Sequence, residues 1–70
     1  MQTKLITKWP SEGEPGAYCE IHFNITNEEY YIEYYNSSNK LFMNEFFPGK
    51  SIHYVGSAAE NWCSGIKKLK

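Results

Sequence analysis

Through the middle of the chain, apolar and polar residues alternate with a period of two. From Ala17 to Ile25, one parity holds Cys19, Ile21, Phe23 and Ile25, and the other holds Tyr18, Glu20, His22 and Asn24. Alternation of this kind predicts a strand with one buried face, because successive side chains leave a strand on opposite sides. Glu29 to Asn36 repeats it, with Tyr30, Ile32 and Tyr34 against Tyr31, Glu33 and Tyr35. Lys40 to Phe47 reads as a further strand that is apolar on both parities, Leu41, Met43 and Phe47 against Phe42 and Phe46. A weaker pattern from Gln2 to Trp9 sets Thr3, Leu5, Thr7 and Trp9 against Lys4, Ile6 and Lys8 and predicts a first strand. The connections are a proline- and glycine-rich segment from Pro10 to Gly16, the turn Thr26-Asn27-Glu28, and the turn Asn36-Ser37-Ser38-Asn39. Their Asn and Ser side chains can hydrogen-bond their own backbone. Strands joined this tightly imply an antiparallel meander.

Beyond Pro48-Gly49 the period changes. Ile52, Val55, Ala59, Trp62, Ile66 and Leu69 recur at steps of three and four, the stripe of an amphipathic helix. Ser51 is suited to cap its start. A second start signal, Ser57 with Glu60 three residues on, follows Gly56, which costs a helix about 1 kcal/mol. Either one helix runs from Ile52 to about Ser64, or an irregular segment precedes a helix beginning near Ala58; the unbroken stripe favours the first. Lys67, Lys68 and Lys70 suit a helix C-terminus. The expected fold is α+β, a small antiparallel meander of three to four strands with one C-terminal helix packed on one face. Residues 1–70 form a single domain whose core draws on Trp62, Phe23, Ile21, Ile32 and Val55. One helix covers one face, so the other is expected to meet solvent.

Size and composition narrow the function classes. A chain of 70 residues has no room for two domains or for most enzyme scaffolds with a dedicated cleft. No apolar run approaches the roughly 20 residues of a membrane span, and the start MQTKLITKWP has no apolar signal-peptide segment, so a cytoplasmic protein is expected. An aromatic content of 17% argues against disorder. Every negative charge is Glu and every positive charge is Lys. The net charge of −1 conceals a segregation. Lys4 and Lys8 make residues 1–10 +2. Glu12, Glu14, Glu20, Glu28, Glu29, Glu33 and Glu45 against Lys40 make residues 11–45 −6. Lys50, Lys67, Lys68 and Lys70 against Glu60 make residues 46–70 +3.

If the helix covers the Cys19 and Ile21 side, the open face carries Tyr18, Glu20, His22, Tyr31, Glu33 and Tyr35, joined by Phe42 or Phe46. Aromatic sheet faces of this kind stack single-stranded bases in some proteins. Such platforms need cations for the phosphates, whereas these neighbours are glutamates and the chain has no Arg, so direct nucleic-acid binding is disfavoured. Tyrosines framed by carboxylates suit a protein interface better, because Tyr offers rigid contact area and the charges select a basic partner. The candidate protein-binding residues are Tyr18, Glu20, Tyr31, Glu33 and Tyr35. The expected partner is a protein with a basic surface, such as one that handles nucleic acid, and the expected activity is to block it. A homodimer through the same face is the alternative. The plain reading is a solvated face on which Tyr reflects its strand propensity.

Nothing points to catalysis, a cofactor or a metal. Cys19 and Cys63 could form one disulfide, worth about 3–4 kcal/mol across so long a loop, but cytosolic reduction favours two buried free thiols. Adding His22 and His53 makes a formal Cys2His2 set, yet positions 19 and 22 of a strand face opposite ways. Cys63 with either histidine lacks a third group or an oxyanion hole. In size and expected architecture the chain resembles small inhibitor proteins of phages and mobile elements, anti-CRISPR and anti-restriction proteins among them. The resemblance implies inhibition by contact and assigns no residue.

Overall fold

In the computed structural model, which describes residues 2–65, four strands and one helix follow one another along the chain: β1 (Thr3–Pro10), β2 (Tyr18–Asn24), β3 (Glu29–Tyr35), β4 (Leu41–Phe47) and α1 (Ile52–Cys63). The strands form one antiparallel sheet in the order β1-β2-β3-β4, so every connection joins neighbours. The fold is α+β, as the periodicities require. Ile66 and Leu69 of the apolar stripe and the lysine cluster Lys67, Lys68 and Lys70 lie outside the described residues.

Polar side chains build the turns. Between β2 and β3, the Asn24 side-chain oxygen accepts a hydrogen bond from the Asn27 amide at 3.2 Å, and Glu28 takes a positive φ of 55°. Between β3 and β4, Asn36 Oδ1 accepts from the amides of Ser38 (2.9 Å) and Lys40 (3.1 Å), while Asn39 occupies the left-handed region at φ 64°. Asn tolerates that region because its short amide can bond locally. The β1–β2 connection is held against the helix end, where the Glu12 amide donates to the Cys63 carbonyl at 2.7 Å.

Cross-strand register sorts the side chains into two faces. On one face lie the rows Trp9–Cys19–Tyr34–Met43, Thr7–Ile21–Ile32–Glu45 and Lys4–Phe23–Tyr30–Phe47. This face receives α1. Cys19, Ile21, Ile32, Tyr34, Phe47, Val55, Ala59 and Cys63 form the buried cluster. Burying a side chain such as Ile or Val removes about 1.5–3 kcal/mol of apolar exposure, so Ile21, Ile32 and Val55 carry much of the fold. Trp62 and Phe23, expected in the core, are only half buried, and Ile25 falls beyond β2 and is exposed. Tyr34 takes the central place instead: its ring is fully buried against Trp62 (5.0 Å between ring centres, edge to face), and its hydroxyl donates to Glu45 Oε1 at 2.8 Å.

Both edge strands carry an extra residue. The register shifts between Leu5 and Thr7, so Leu5 faces His22 while Thr7 faces Ile21, and Ile6 is the inserted position. Thr3 and Leu5 therefore lie on the opposite face from Thr7 and Trp9, against the simple alternation read from the sequence. In β4, Tyr34 faces Met43 and Tyr35 faces Leu41, which makes Phe42 the inserted residue. Its ring turns toward Tyr34 (6.3 Å) and Trp62 (6.4 Å) on the helix side.

A single helix forms, starting at Ile52. Ser51 caps it, its Oγ accepting from the Tyr54 amide at 3.3 Å. The Ser57–Glu60 start signal is overridden because Val55, Ala59 and Cys63 bury one continuous stripe across it. The helix closes on Ser64, whose amide donates to the Glu60 carbonyl at 2.9 Å, and on Gly65 at φ 86°, a left-handed position where glycine costs least. No helix of the described residues is long and apolar enough to cross a membrane.

Gly56 sits inside α1 with nothing within 4 Å of where a Cβ would stand. Gly56→Ala should therefore raise stability by about 0.5–1 kcal/mol, by removing backbone freedom from the unfolded chain. Thermal unfolding followed by circular dichroism should show the midpoint rising by several degrees; a fall would mean that the helix interior has no room there.

Candidate functional site: the aromatic and acidic sheet face

The face turned away from α1 has its own rows: Pro10–Tyr18–Tyr35–Leu41, Lys8–Glu20–Glu33–Asn44 and Leu5–His22–Tyr31–Phe46. A charged row thus runs between two largely aromatic ones. All five residues singled out from the sequence, Tyr18, Glu20, Tyr31, Glu33 and Tyr35, meet on this face. Phe46 joins them through its pairing with Tyr31, whereas Phe42 belongs to the helix side.

Ring stacking holds the outer rows. Tyr18 and Tyr35 stack at 4.7 Å between centres, nearly parallel at 11°. His22 stacks on Tyr31 (5.2 Å, 14°), and Tyr31 in turn on Phe46 (5.2 Å, 26°). Flanked by both rings, Tyr31 is only 6% exposed. It supports the face from within and offers little contact area of its own. The Tyr18 hydroxyl donates to the Asn39 side chain, which fastens the first row to the β3–β4 turn.

The central row is electrostatically unusual. Glu20 and Glu33 stand directly opposite each other on neighbouring strands, an arrangement that destabilises a sheet when both are ionised. Lys8 is the next residue in the row, but its Nζ lies 4.1 Å from the centre of the Tyr18 ring, a cation–π contact. His22 reaches over from the next row and touches both carboxylates: its Nε2 is 2.9 Å from Glu20 Oε1 and 3.2 Å from Glu33 Oε1. Side-chain exposures of 14% for His22, 20% for Glu20 and 22% for Glu33 leave the cluster open to water from one side only. His22 Nδ1 is buried without a hydrogen-bond partner among the described residues. The Tyr35 hydroxyl donates to the same Glu33 Oε1 at 2.8 Å, and this bond, reinforced by burial, pushes the Tyr35 phenol above its usual range.

Parity places His22 on this face, where its partners are carboxylates and not the cysteines considered with it above. The signal for its true neighbours was Glu20-x-His22, whose period of two keeps both side chains on one side of β2. Glu33 completes the group only through the β2–β3 register, which depends on the length of the turn between the strands.

The other chemistry-bearing residues stand apart from this face. Cys19 and Cys63 are buried on the helix side as free thiols with their sulfurs 3.7 Å apart, and Cys63 donates to the Trp9 carbonyl at 3.5 Å. His22 lies across the sheet from them, and His53 is exposed at the opposite end of α1 from Cys63. A shallow groove of about 340 Å³ runs between β4 and α1, lined by Glu45, Phe47, Tyr54, Ser57, Ala58 and Asn61.

Burial pushes both thiols up from their ordinary value of 9.0, and Tyr34, buried and bonded to Glu45, is pushed up from 10.0. The folded protein thus holds these protons more tightly than the unfolded chain. Stability gained from the un-ionised groups is fully present below pH 9 and is lost as the pH climbs above it, because only the unfolded chain ionises there. Urea unfolding between pH 7 and 11 should show a plateau followed by a decline beginning near pH 9. Native protein at neutral pH should react with a thiol reagent only as fast as it opens; rapid labelling of either cysteine would contradict the buried pair.

No family model matches the chain, and neither curated proteins nor solved structures yield a significant match to it.

Proposed function

We propose that the protein acts without chemistry of its own, by binding a partner protein through the face opposite α1. One observation carries this reading: two carboxylates, Glu20 and Glu33, stand side by side between two rows of stacked rings, with Lys8 turned away onto Tyr18. Paired anionic groups on a rigid scaffold resemble the spaced phosphates of a nucleic-acid backbone, and rigid aromatic flanks supply contact area at small entropic cost. The complementary surface is basic, with lysine or arginine arranged to hold phosphates. A protein that handles nucleic acid offers such a surface, and occupying it would exclude the nucleic acid. Inhibition by contact follows, in keeping with the small inhibitor proteins that this chain resembles in size and architecture. Tyr18, Glu20, Glu33 and Tyr35 supply the contact, and Tyr31 holds His22 and Phe46 in place.

Self-association is the second reading, favoured by the exposed apolar residues Leu5, Leu41 and Phe46 at the margins of the same face. Sedimentation equilibrium separates the two: a dimer unaffected by salt supports pairing of the apolar margins, and a monomer leaves the face free for a different partner.

The decisive variant is the double charge reversal Glu20→Lys with Glu33→Lys. Immobilised protein should capture a partner from host lysate at low salt, release it on addition of duplex DNA or heparin, and lose it in the double variant while the circular dichroism spectrum is retained. Capture that withstands the charge reversal overturns the proposal.

A further inference from the structure

Two opposed carboxylates and a histidine within bonding distance of both can do more than attract a basic surface. We propose that Glu20, His22 and Glu33 form a mononuclear site for a divalent metal ion of the zinc class. Its ligands are His22 Nε2 and one oxygen from each carboxylate, with the remaining positions left to water. The proposal concerns the isolated protein and does not depend on any protein partner.

Geometry is the first support. His22 Nε2 lies 2.9 and 3.2 Å from the two carboxylate oxygens, and one donor atom from each residue falls within 4.8 Å of the others. With metal–ligand bonds of about 2.0–2.2 Å, neighbouring ligands of a tetrahedral site stand about 3.3 Å apart. His22 Nε2 thus stands about one edge length from each carboxylate oxygen, and the two carboxylate oxygens, within 4.8 Å of each other, need only small side-chain adjustments to close around an ion. β2 supplies two of them at i and i+2 on one face, and β3 supplies the third directly across the ladder, so rigid strands position all three.

Charge is the second. The two carboxylates face each other across the rung with no lysine between them. Lys8, the cation nearest in register, is engaged with the Tyr18 ring. A divalent ion matches the charge of the pair and converts a repulsive cross-strand contact into a bridged one.

The surrounding shell is the third. The Tyr35 hydroxyl orients Glu33 by a 2.8 Å hydrogen bond, the kind of outer contact that fixes a ligating carboxylate. Tyr31 fixes the plane of the His22 ring by stacking. In the ion-free protein the two carboxylates keep the ring proton on Nε2; an ion bound there displaces that proton, and the ring then carries its proton at Nδ1, which makes no hydrogen bond among the described residues. One imidazole with two carboxylates selects borderline transition metals over calcium or magnesium, which prefer all-oxygen shells. Both cysteines lie on the other side of the sheet, so the donor set is nitrogen and oxygen alone.

The test uses the untagged full chain. Zinc is titrated by calorimetry and Co(II) by visible absorption, with Mg(II) as a comparison. Expected are one ion per chain at micromolar zinc, a Co(II) spectrum without a thiolate charge-transfer band, and no response to Mg(II) at equal concentration. His22→Gln should weaken zinc by more than about tenfold, Tyr35→Phe by about tenfold through the outer contact, and His53→Gln should have no effect. Glu33→Gln gives an independent loss should His22→Gln fold poorly by circular dichroism. Absence of wild-type binding at millimolar zinc, affinity unchanged in both His22→Gln and Glu33→Gln, or a thiolate band would each overturn the site.

Discussion

A helix of twelve residues covers one side of a four-stranded sheet and no more. At about 1.5 Å per residue it is about 18 Å long, close to the width of four strands spaced about 4.8 Å apart. The buried cluster lies between this helix and the sheet. Cys19, Ile21, Ile32 and Tyr34 rise from the two central strands to meet Val55, Ala59 and Cys63. The opposite face has no second layer and must be made stable from within its own surface. Rings stacked face to face do this for the outer rows, and a histidine between two carboxylates does it for the middle one. The lopsided division of labour is what leaves one face of the sheet structured yet turned to water.

The central strands were legible in the sequence because their alternation is unbroken from Tyr18 to Asn24 and from Glu29 to Tyr35. The helix was legible from its stripe and from Ser51, and one helix prevailed over a late start because the stripe runs through Gly56. The edge strands were less legible. An inserted residue such as Ile6 or Phe42 leaves no mark in composition, yet it reverses the facing of everything before it, which is why Thr3 and Leu5 lie away from Trp9. Tyr34 illustrates a different limit. Its parity placed it on the helix side, but its central position in the core depends on Glu45 coming across β4 to accept the hydroxyl proton. The five residues of the candidate face were legible as a set, from parity alone. Their division into exposed contacts and the buried support Tyr31 was not, because it follows from ring packing between strands.

Charge along this chain is arranged locally. The overall sum is close to zero, while the surface opposite the helix concentrates Glu20 and Glu33 in adjacent strands and diverts Lys8 to an aromatic ring. A sheet built for stability alone would place opposite charges, or none, across that rung. Keeping the pair is a local departure from the rule that like charges avoid each other across a rung, of the kind proteins show at functional or strained sites. A basic protein surface and a metal ion would use the same two carboxylates, so each would be expected to exclude the other.

The inserted residues in β1 and β4 also bear on how the molecule behaves in company. Both are edge strands, whose outer backbone groups are unpaired within the sheet and could template a further strand from another chain. Ile6 breaks the regular spacing of those groups in the middle of β1, and Pro10 removes a donor at its end. Phe42 does the same near the start of β4, between Lys40 and Lys50 at either end of the strand. Neither border therefore offers a long, flat, evenly spaced row of donors and acceptors. Interruptions of this kind on both borders are the device by which sheets rich in aromatic strand residues avoid templating further copies edge to edge.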